Sequence, residues 1–153
     1  MTLARDLVRP YTTVRVDDDA EEAARLLVRE RLPALLVLDQ VGFPYAIVPA
    51  TQLLTALMPE PGKAEPPPAV TTPGSSADGA WGPLSGRAVA DWLPRRRATP
   101  GLVDPESSPL EITALMTRKD CPVVAVIERE GGAVSLLGAI TADVLLAHFI
   151  GGP

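Results

Sequence analysis

A proline-rich stretch divides this chain in two, and the two parts repeat one another. Between Pro59 and Gly86 the sequence carries Pro59, Pro61, Pro66, Pro67, Pro68, Pro73 and Pro83 among glycines, serines and alanines. Proline fixes φ and donates no backbone hydrogen bond, so such a segment holds neither a helix nor a strand ladder and reads as a solvated linker over 59–86. The flanking parts, 1–58 and 87–153, are similar in size, which makes an internal repeat the first thing to test.

The repeat is legible element by element. Leu3-Ala4-Arg5-Asp6-Leu7-Val8 and Arg87-Ala88-Val89-Ala90-Asp91-Trp92-Leu93 share one order of apolar and acidic positions and read as short amphipathic turns. Thr13-Val14-Arg15-Val16 and Gly101-Leu102-Val103-Asp104 then suit short strands. A helix start follows each. Asp19 is an N-cap with Glu22 three residues on, and Ser108 is an N-cap with Pro109 at the first helical position and Glu111 closing a capping box. Ala23, Ala24, Leu26 and Leu27 in one helix, and Ile112, Leu115 and Met116 in the other, are spaced to bury one face.

Each helix stops before a proline that opens an apolar run closed by an acid, Pro33 to Asp39 and Pro122 to Glu128, as expected of a strand covered on both faces. Turns at Val41-Gly42-Phe43 and Glu130-Gly131-Gly132 lead to third strands, Tyr45 to Val48 and Leu136 to Ile140. Closing helices are expected over Ala50 to Met58 and Ala142 to Phe149. The predicted class is α+β, with each half reading β-α-β-β-α behind a short helix. A unit of about 50 residues buries too little apolar surface to stand comfortably alone. The halves are therefore expected to pack sheet to sheet as one pseudo-symmetric module.

Composition narrows the function. The net charge of -5 and the 4% aromatic content argue against nucleic acid as a partner, since that affinity comes from Lys and Arg on phosphates and from stacking platforms. Cys121 is the only cysteine, so no internal disulfide forms. Together with the lack of a secretory leader, this makes a cytoplasmic location the expectation. The longest apolar run falls short of the roughly 18 to 20 residues that span a bilayer, so membrane insertion is not expected.

The order of elements, the acid-capped helix, the Pro-led apolar strand and the segment Gly138-Ala139-Ile140-Thr141-Ala142-Asp143-Val144-Leu145-Leu146 together resemble a tandem CBS-domain protein, or Bateman module, over nearly everything but the linker. The resemblance implies a regulatory, ligand-sensing role in which an adenosine derivative, such as AMP, ADP, ATP or S-adenosylmethionine, occupies a cleft between the paired repeats. It implies that a Thr or Ser ending the third strand approaches phosphate, a position held here by Thr141. A helix start, with its unpaired N–H groups, suits that role. Relatives often carry an Asp three residues later, where this chain has Val144, with Asp143 one residue before it.

Ala98-Thr99-Pro100-Gly101-Leu102 and Lys119-Asp120-Cys121-Pro122 match stretches that line the adenine pocket in the family. The first repeat departs further, with Pro49 and Gln52 at the Thr and Asp positions and Tyr11, Thr12 and Thr13 as the remaining candidates. The resemblance also implies a homodimer formed through the helices. Leu53, Leu54, Leu57, Leu145, Leu146 and Phe149 of the closing helices are available for that contact or for the core. With no second functional domain in the sequence, the expected target is a separate protein, a transporter, channel or enzyme. The competing reading is a non-catalytic assembly subunit whose degenerate clefts bind no nucleotide.

Plainer readings stand beside these. Thr141 and Asp143 also suit simple helix capping. Asp17-Asp18-Asp19 is explained by the helix dipole without a metal. Arg95-Arg96-Arg97 is either an ordinary solvated loop or a contact to ligand phosphates or to a partner's acidic surface. His148 alone cannot assemble a zinc site or an acid–base relay, and Cys121 has no partner for nucleophilic catalysis. Trp92 is expected in the core and Trp81 in the linker. No phosphate loop, nucleophile elbow or paired-cysteine motif occurs, so no catalytic cofactor, metal site or enzymatic activity is expected.

Overall fold

The computed structural model describes residues 1–55, 57 and 84–151. Most of the expected linker, including Trp81, lies outside the described residues. The elements in chain order are α1 (Ala4–Leu7), β1 (Thr13–Arg15), α2 (Ala20–Arg29), β2 (Ala34–Leu38), β3 (Pro44–Pro49), α3 (Ala50–Thr55), α4 (Val89–Trp92), β4 (Leu102–Val103), α5 (Pro109–Lys119), β5 (Val123–Glu130), β6 (Ala133–Thr141) and α6 (Ala142–Gly151). They form two three-stranded sheets, ordered β1-β2-β3 and β4-β5-β6. The first two strands of each sheet run parallel and the last two antiparallel.

The repeat holds at the level of register. Thr13 lies opposite Leu36 in one sheet and Leu102 opposite Ala125 in the other. Pro49 pairs with Ala34 as Thr141 pairs with Val123. Both antiparallel ladders slip at the same place, after Val37 and after Val126. The helix starts behave as their chemistry dictates. Asp19 accepts from the Glu22 N–H at 3.0 Å. Ser108 accepts from Glu111 N–H at 3.2 Å while the Glu111 carboxylate accepts from Ser108 N–H at 2.7 Å, a complete capping box. The long helices end alike too, with Arg31 (φ 54) and Asp120 (φ 51) in the left-handed region just before the two prolines.

Alternation along β2 and β5 builds three layers of core. Leu35 and Val37 face the helices of the first half, while Val124 and Val126 face those of the second. Their neighbours Ala34, Leu36, Val123 and Ala125 turn the other way and meet Ile47, Cys121 and Ala139 in a layer between the sheets. Both faces of each central strand are thus buried, which is why these runs are continuously apolar. The small side chains Ala34, Ala125 and Ala139 in that layer let the two sheets approach closely.

The leading helices cross over. α1 contributes Ala4 and Leu7 to the core of the second half, and α4 contributes Val89 and Trp92 to the core of the first. Backbone bonds fix both crossings with matching geometry: Ala4 N–H donates to Ser107 O at 2.8 Å and Arg5 N–H to Pro105 O at 3.0 Å, as Val89 donates to Asp18 O at 2.8 Å and Ala90 to Val16 O at 2.9 Å. Each four-residue helix is too short to persist alone and holds its shape through these contacts. Leu84, within the stretch expected to be linker, is wholly buried in the first core, because an apolar side chain ahead of α4 is drawn in with it.

The described part of the first closing helix stops at Thr55, and the second runs on to Gly151. Leu53 and Leu145 turn inward, whereas Leu54, Leu146, Phe149 and Ile150 remain exposed. Leu57 packs at the margin of the first core. His148 is half-buried and sits edge-on to Phe149, ring centroids 5.3 Å apart. Among the described residues, no helix is long and apolar enough to cross a membrane.

Candidate functional site

Strand polarity collects the candidate residues. A strand pair that is parallel and then antiparallel places the starts of β4 and β5 and the end of β6 at one end of one sheet. Gly101 and Leu102 therefore lie beside Cys121 and Pro122, with Thr141 on the far side of β5. The first sheet repeats this with Thr12 and Thr13, the segment ending in Pro33, and Pro49.

A small enclosed cleft lies where the two sheets meet, lined by Ile47, Pro49 and Gln52 of the first half and by Arg97, Ala98, Thr99, Gly101, Lys119 and Cys121 of the second. Four of the candidates, Thr99, Gly101, Lys119 and Cys121, converge here. The residue facing them across the sheets is Pro49, and Thr141 is not part of the lining. Sequence reading placed Pro49 and Gln52 at the right repeat positions but did not pair them with the second repeat. Ile47 had no polar or motif signal that marked it.

The cleft is narrow, with about 10 Å³ of free space, room for a single water. Lys119 bars it, its Nζ donating to Thr99 Oγ1 at 2.6 Å. Both groups are on flexible side chains in contact with solvent, so a competing ligand can displace the bond at modest cost. Gly101 presents backbone to the cleft; a Cβ there would point instead toward Val124 and Leu115, and its carbonyl accepts from Ala125 N–H at 3.0 Å.

An open groove of about 620 Å³ adjoins the cleft, lined by Gln52, Thr55, Pro94, Arg95, Arg96, Arg97 and Ala98. Gln52, Arg97 and Ala98 belong to both. Arg97 is held in place: its Nη1 donates to Pro94 O at 2.9 Å, and its guanidinium carbon lies 5.0 Å from the centroid of the Tyr45 ring.

The remaining candidates are distributed as follows. Thr141 Oγ1 donates to the Asp143 carboxylate, so these two residues engage each other at the start of α6. Ala142 N–H is taken by Pro122 O at 2.9 Å, as Ala50 N–H is by Pro33 O at 3.1 Å. Thr12 donates to Glu30 at 2.5 Å, and Thr13 lies in β1. Asp120 is an exposed left-handed C-cap, held by its shape role. Leu102 joins the layer between the sheets.

Tyr11 spans the halves. Its hydroxyl donates to Ala34 O at 2.6 Å and its ring packs on the layer containing Cys121. Burial pushes its pKa up to about 12, with the Ala34 backbone opposing and the nearby Cys121 adding. Burial likewise pushes the Cys121 thiol up, partly offset by the Val123 backbone and reinforced by the charge of Asp120.

Comparison with known proteins gives a consistent picture. The sequence profile of the CBS domain matches residues 4–59. A search among curated proteins gave no match. Among solved structures, a CBS domain-containing protein of unknown function from Kribbella flavida is 34% identical, covers 97% of this chain and 100% of its own, and superposes with a TM-score of 0.78. CBSX2 from Arabidopsis thaliana, a CBS-pair protein, is 16% identical, with 97% and 94% coverage and a TM-score of 0.69; it has also been seen in complex with AMP. The CBS domain of a bacterial CNNM/CorC family Mg2+ transporter, in complex with ATP, is 16% identical, with 98% and 88% coverage and a TM-score of 0.66.

Proposed function

This chain belongs to the CBS-domain family, and from that premise we propose that it is a cytoplasmic regulatory module that binds an adenosine derivative between its two repeats and passes the occupancy on to a separate effector protein. The observation that carries this reading is the cleft between the sheets. Its floor is apolar (Ile47, Pro49, Cys121), its rim polar (Gln52, Thr99, Lys119), and Gly101 lines it without a side chain. A flat base fits an apolar slot of that kind, and a few polar groups at the edge set orientation. The AMP and ATP complexes of the two distant relatives support the same ligand class.

Regulation needs a ligand that distinguishes two states. The narrow cleft is one of them. Opening it requires Lys119 to leave Thr99 and the sheets to part slightly. Because α1 and α4 are exchanged, any such motion is felt in both cores at once. The role is that of a sensor rather than a catalyst, with the nucleotide or S-adenosylmethionine as effector and not as cofactor. A second copy of the chain is the proposed assembly partner, docking on the apolar residues that the closing helices leave exposed, Leu54, Leu146, Phe149 and Ile150. Sedimentation of wild type and of Phe149→Glu tests the dimer, which the substitution is expected to dissociate.

The test of the function is isothermal titration with AMP, ATP, S-adenosylmethionine and GTP, repeated on Lys119→Ala/Thr99→Ala and on Thr141→Ala. Saturable binding of an adenine compound supports the sensor, and a change of affinity in either direction in Lys119→Ala/Thr99→Ala, or a loss in Thr141→Ala, identifies its cleft. A folded protein that binds none of the four is instead an assembly subunit with degenerate clefts.

A further inference from the structure

We infer that the groove formed by Arg95, Arg96 and Arg97 is a polyphosphate site, so that the module responds to a nucleoside di- or triphosphate in preference to the monophosphate. This rests on the reading of the adjoining cleft as the base pocket. Three observations carry it.

The first is continuity. Groove and cleft share Gln52, Arg97 and Ala98, so a ligand whose base lies between the sheets leads its tail out over the arginine loop. The groove's volume of about 620 Å³ falls within the few hundred to about 1,000 Å³ of small-molecule sites.

The second is charge. Three arginines line the groove, and no carboxylate is among its described lining residues, on a protein whose net charge is -5. Lys119 adds a fourth cation at the cleft. Guanidinium forks match phosphate oxygens two at a time, and each such bond is stronger than a neutral one. A monophosphate presents too few oxygens to engage the whole set.

The third is the replacement at Pro49. At the equivalent position on the other sheet Thr141 supplies a hydroxyl, whereas Pro49 supplies neither hydroxyl nor N–H. A phosphate anchored in this cleft needs its donors from elsewhere, and the arginine loop is the adjacent source. Arg97 is already oriented by Pro94 and Tyr45, leaving Arg95 and Arg96, both exposed, as the reach of the site.

The experiment is titration of wild type and Arg95→Ala/Arg96→Ala with AMP, ATP and inorganic tripolyphosphate at two salt concentrations. Both substitutions lie on an exposed loop, so folding is unaffected, as circular dichroism will verify. The expected result is that wild type binds ATP about tenfold or more tighter than AMP, with the excess falling as salt rises. The double variant loses that excess, binding ATP no better than AMP, and no longer binds tripolyphosphate. Equal affinity for ATP and AMP in wild type, or equal weakening of both in the variant, overturns the inference while leaving the base pocket standing. Binding of tripolyphosphate without AMP or ATP keeps the anion groove and removes the nucleotide reading. Binding of nothing removes both.

Discussion

Arg9 and Ala139 donate to each other's carbonyls at 2.9 and 3.0 Å, stitching the segment behind α1 onto the edge of β6 in the opposite half of the molecule. The residue that permits this is Gly138, next to Ala139 with φ +149, where an added Cβ would collide with the carbonyl oxygen of Arg9 and press on the Val8 side chain. The equivalent position in the first sheet, opposite Val37 as Gly138 is opposite Val126, is Ala46. The glycine is thus tied to one crossing and not to the repeat as such.

Gly138→Ala therefore combines backbone strain with a clash against main chain that cannot step aside. It is expected to lower stability by about 2 kcal/mol or more. Gly132→Ala, in the β5–β6 turn with open space around it, pays only the positive-φ strain, about 1 kcal/mol. Urea unfolding of the two variants checks the order; equal costs would show that the crossing is not constrained at Gly138.

Removing the Ser108 hydroxyl breaks one half of the α5 capping box. Ser108→Ala is expected to cost about 1 kcal/mol, and Asp19→Ala at the equivalent start of α2 a similar amount. Thermal unfolding of the single and double variants measures both, and additive losses are expected because the two caps share no partner.

The ion pair between Arg5 and Glu106 joins α1 to the loop before α5, yet more than half of each side chain is exposed. Such pairs are worth about 1 kcal/mol at most. Glu106→Gln is expected to leave stability nearly unchanged, while Leu7→Ala, which empties a buried position of the same helix, is expected to cost about 2 kcal/mol or more. The reverse order in chemical denaturation would mean that charge, and not burial, holds the exchanged helix.

Tyr11 keeps its proton until about pH 12. Spectrophotometric titration of the phenolates should show an absorbance step at that pH, lost in Tyr11→Phe. Because the folded-state pKa lies above the unfolded value of about 10, this group's contribution to stability is complete below pH 10 and declines as pH rises from there toward 12.

Cys121 shares the cleft with the proposed ligand, and its thiol is pushed up by burial. Alkylation of the native protein is expected to be slower at pH 8 than that of the urea-unfolded chain, since the thiolate is the reactive form. Its rate should keep rising with pH beyond the range of an ordinary cysteine. A ligand in the cleft lowers the rate further, so protection by ATP gives a readout of occupancy independent of binding heats.

The sequence alone was enough for the repeat, the order of elements, both helix starts and the equivalence of Pro49 with Thr141. All of these are local: a cap needs only the residues of one turn, and a strand covered on both faces announces itself by a continuous apolar run. The class of fold followed, since two units too small to stand alone must share a core. What tertiary structure decided was partnership across the halves. The pattern Leu3 to Val8 shows a short apolar turn but not which sheet it covers, because Ala4 and Leu7 are equally apolar toward either. Only docking sends α1 to the second core and α4 to the first.

The site was divided in the same way. Thr99, Gly101, Lys119 and Cys121 were legible, among other candidates, only through the resemblance of their stretches to the family's adenine pocket, and the fold gathers these four into one cleft. The partner that closes over them, Pro49 with Gln52 and Ile47, comes from the other sheet. No periodicity links a residue to one that faces it across a sheet interface. That pairing is fixed by the pseudo-twofold packing of Ala34, Leu36, Val123 and Ala125, where close contact of small and branched side chains selects one stacking of the sheets and with it the residues that share a cleft.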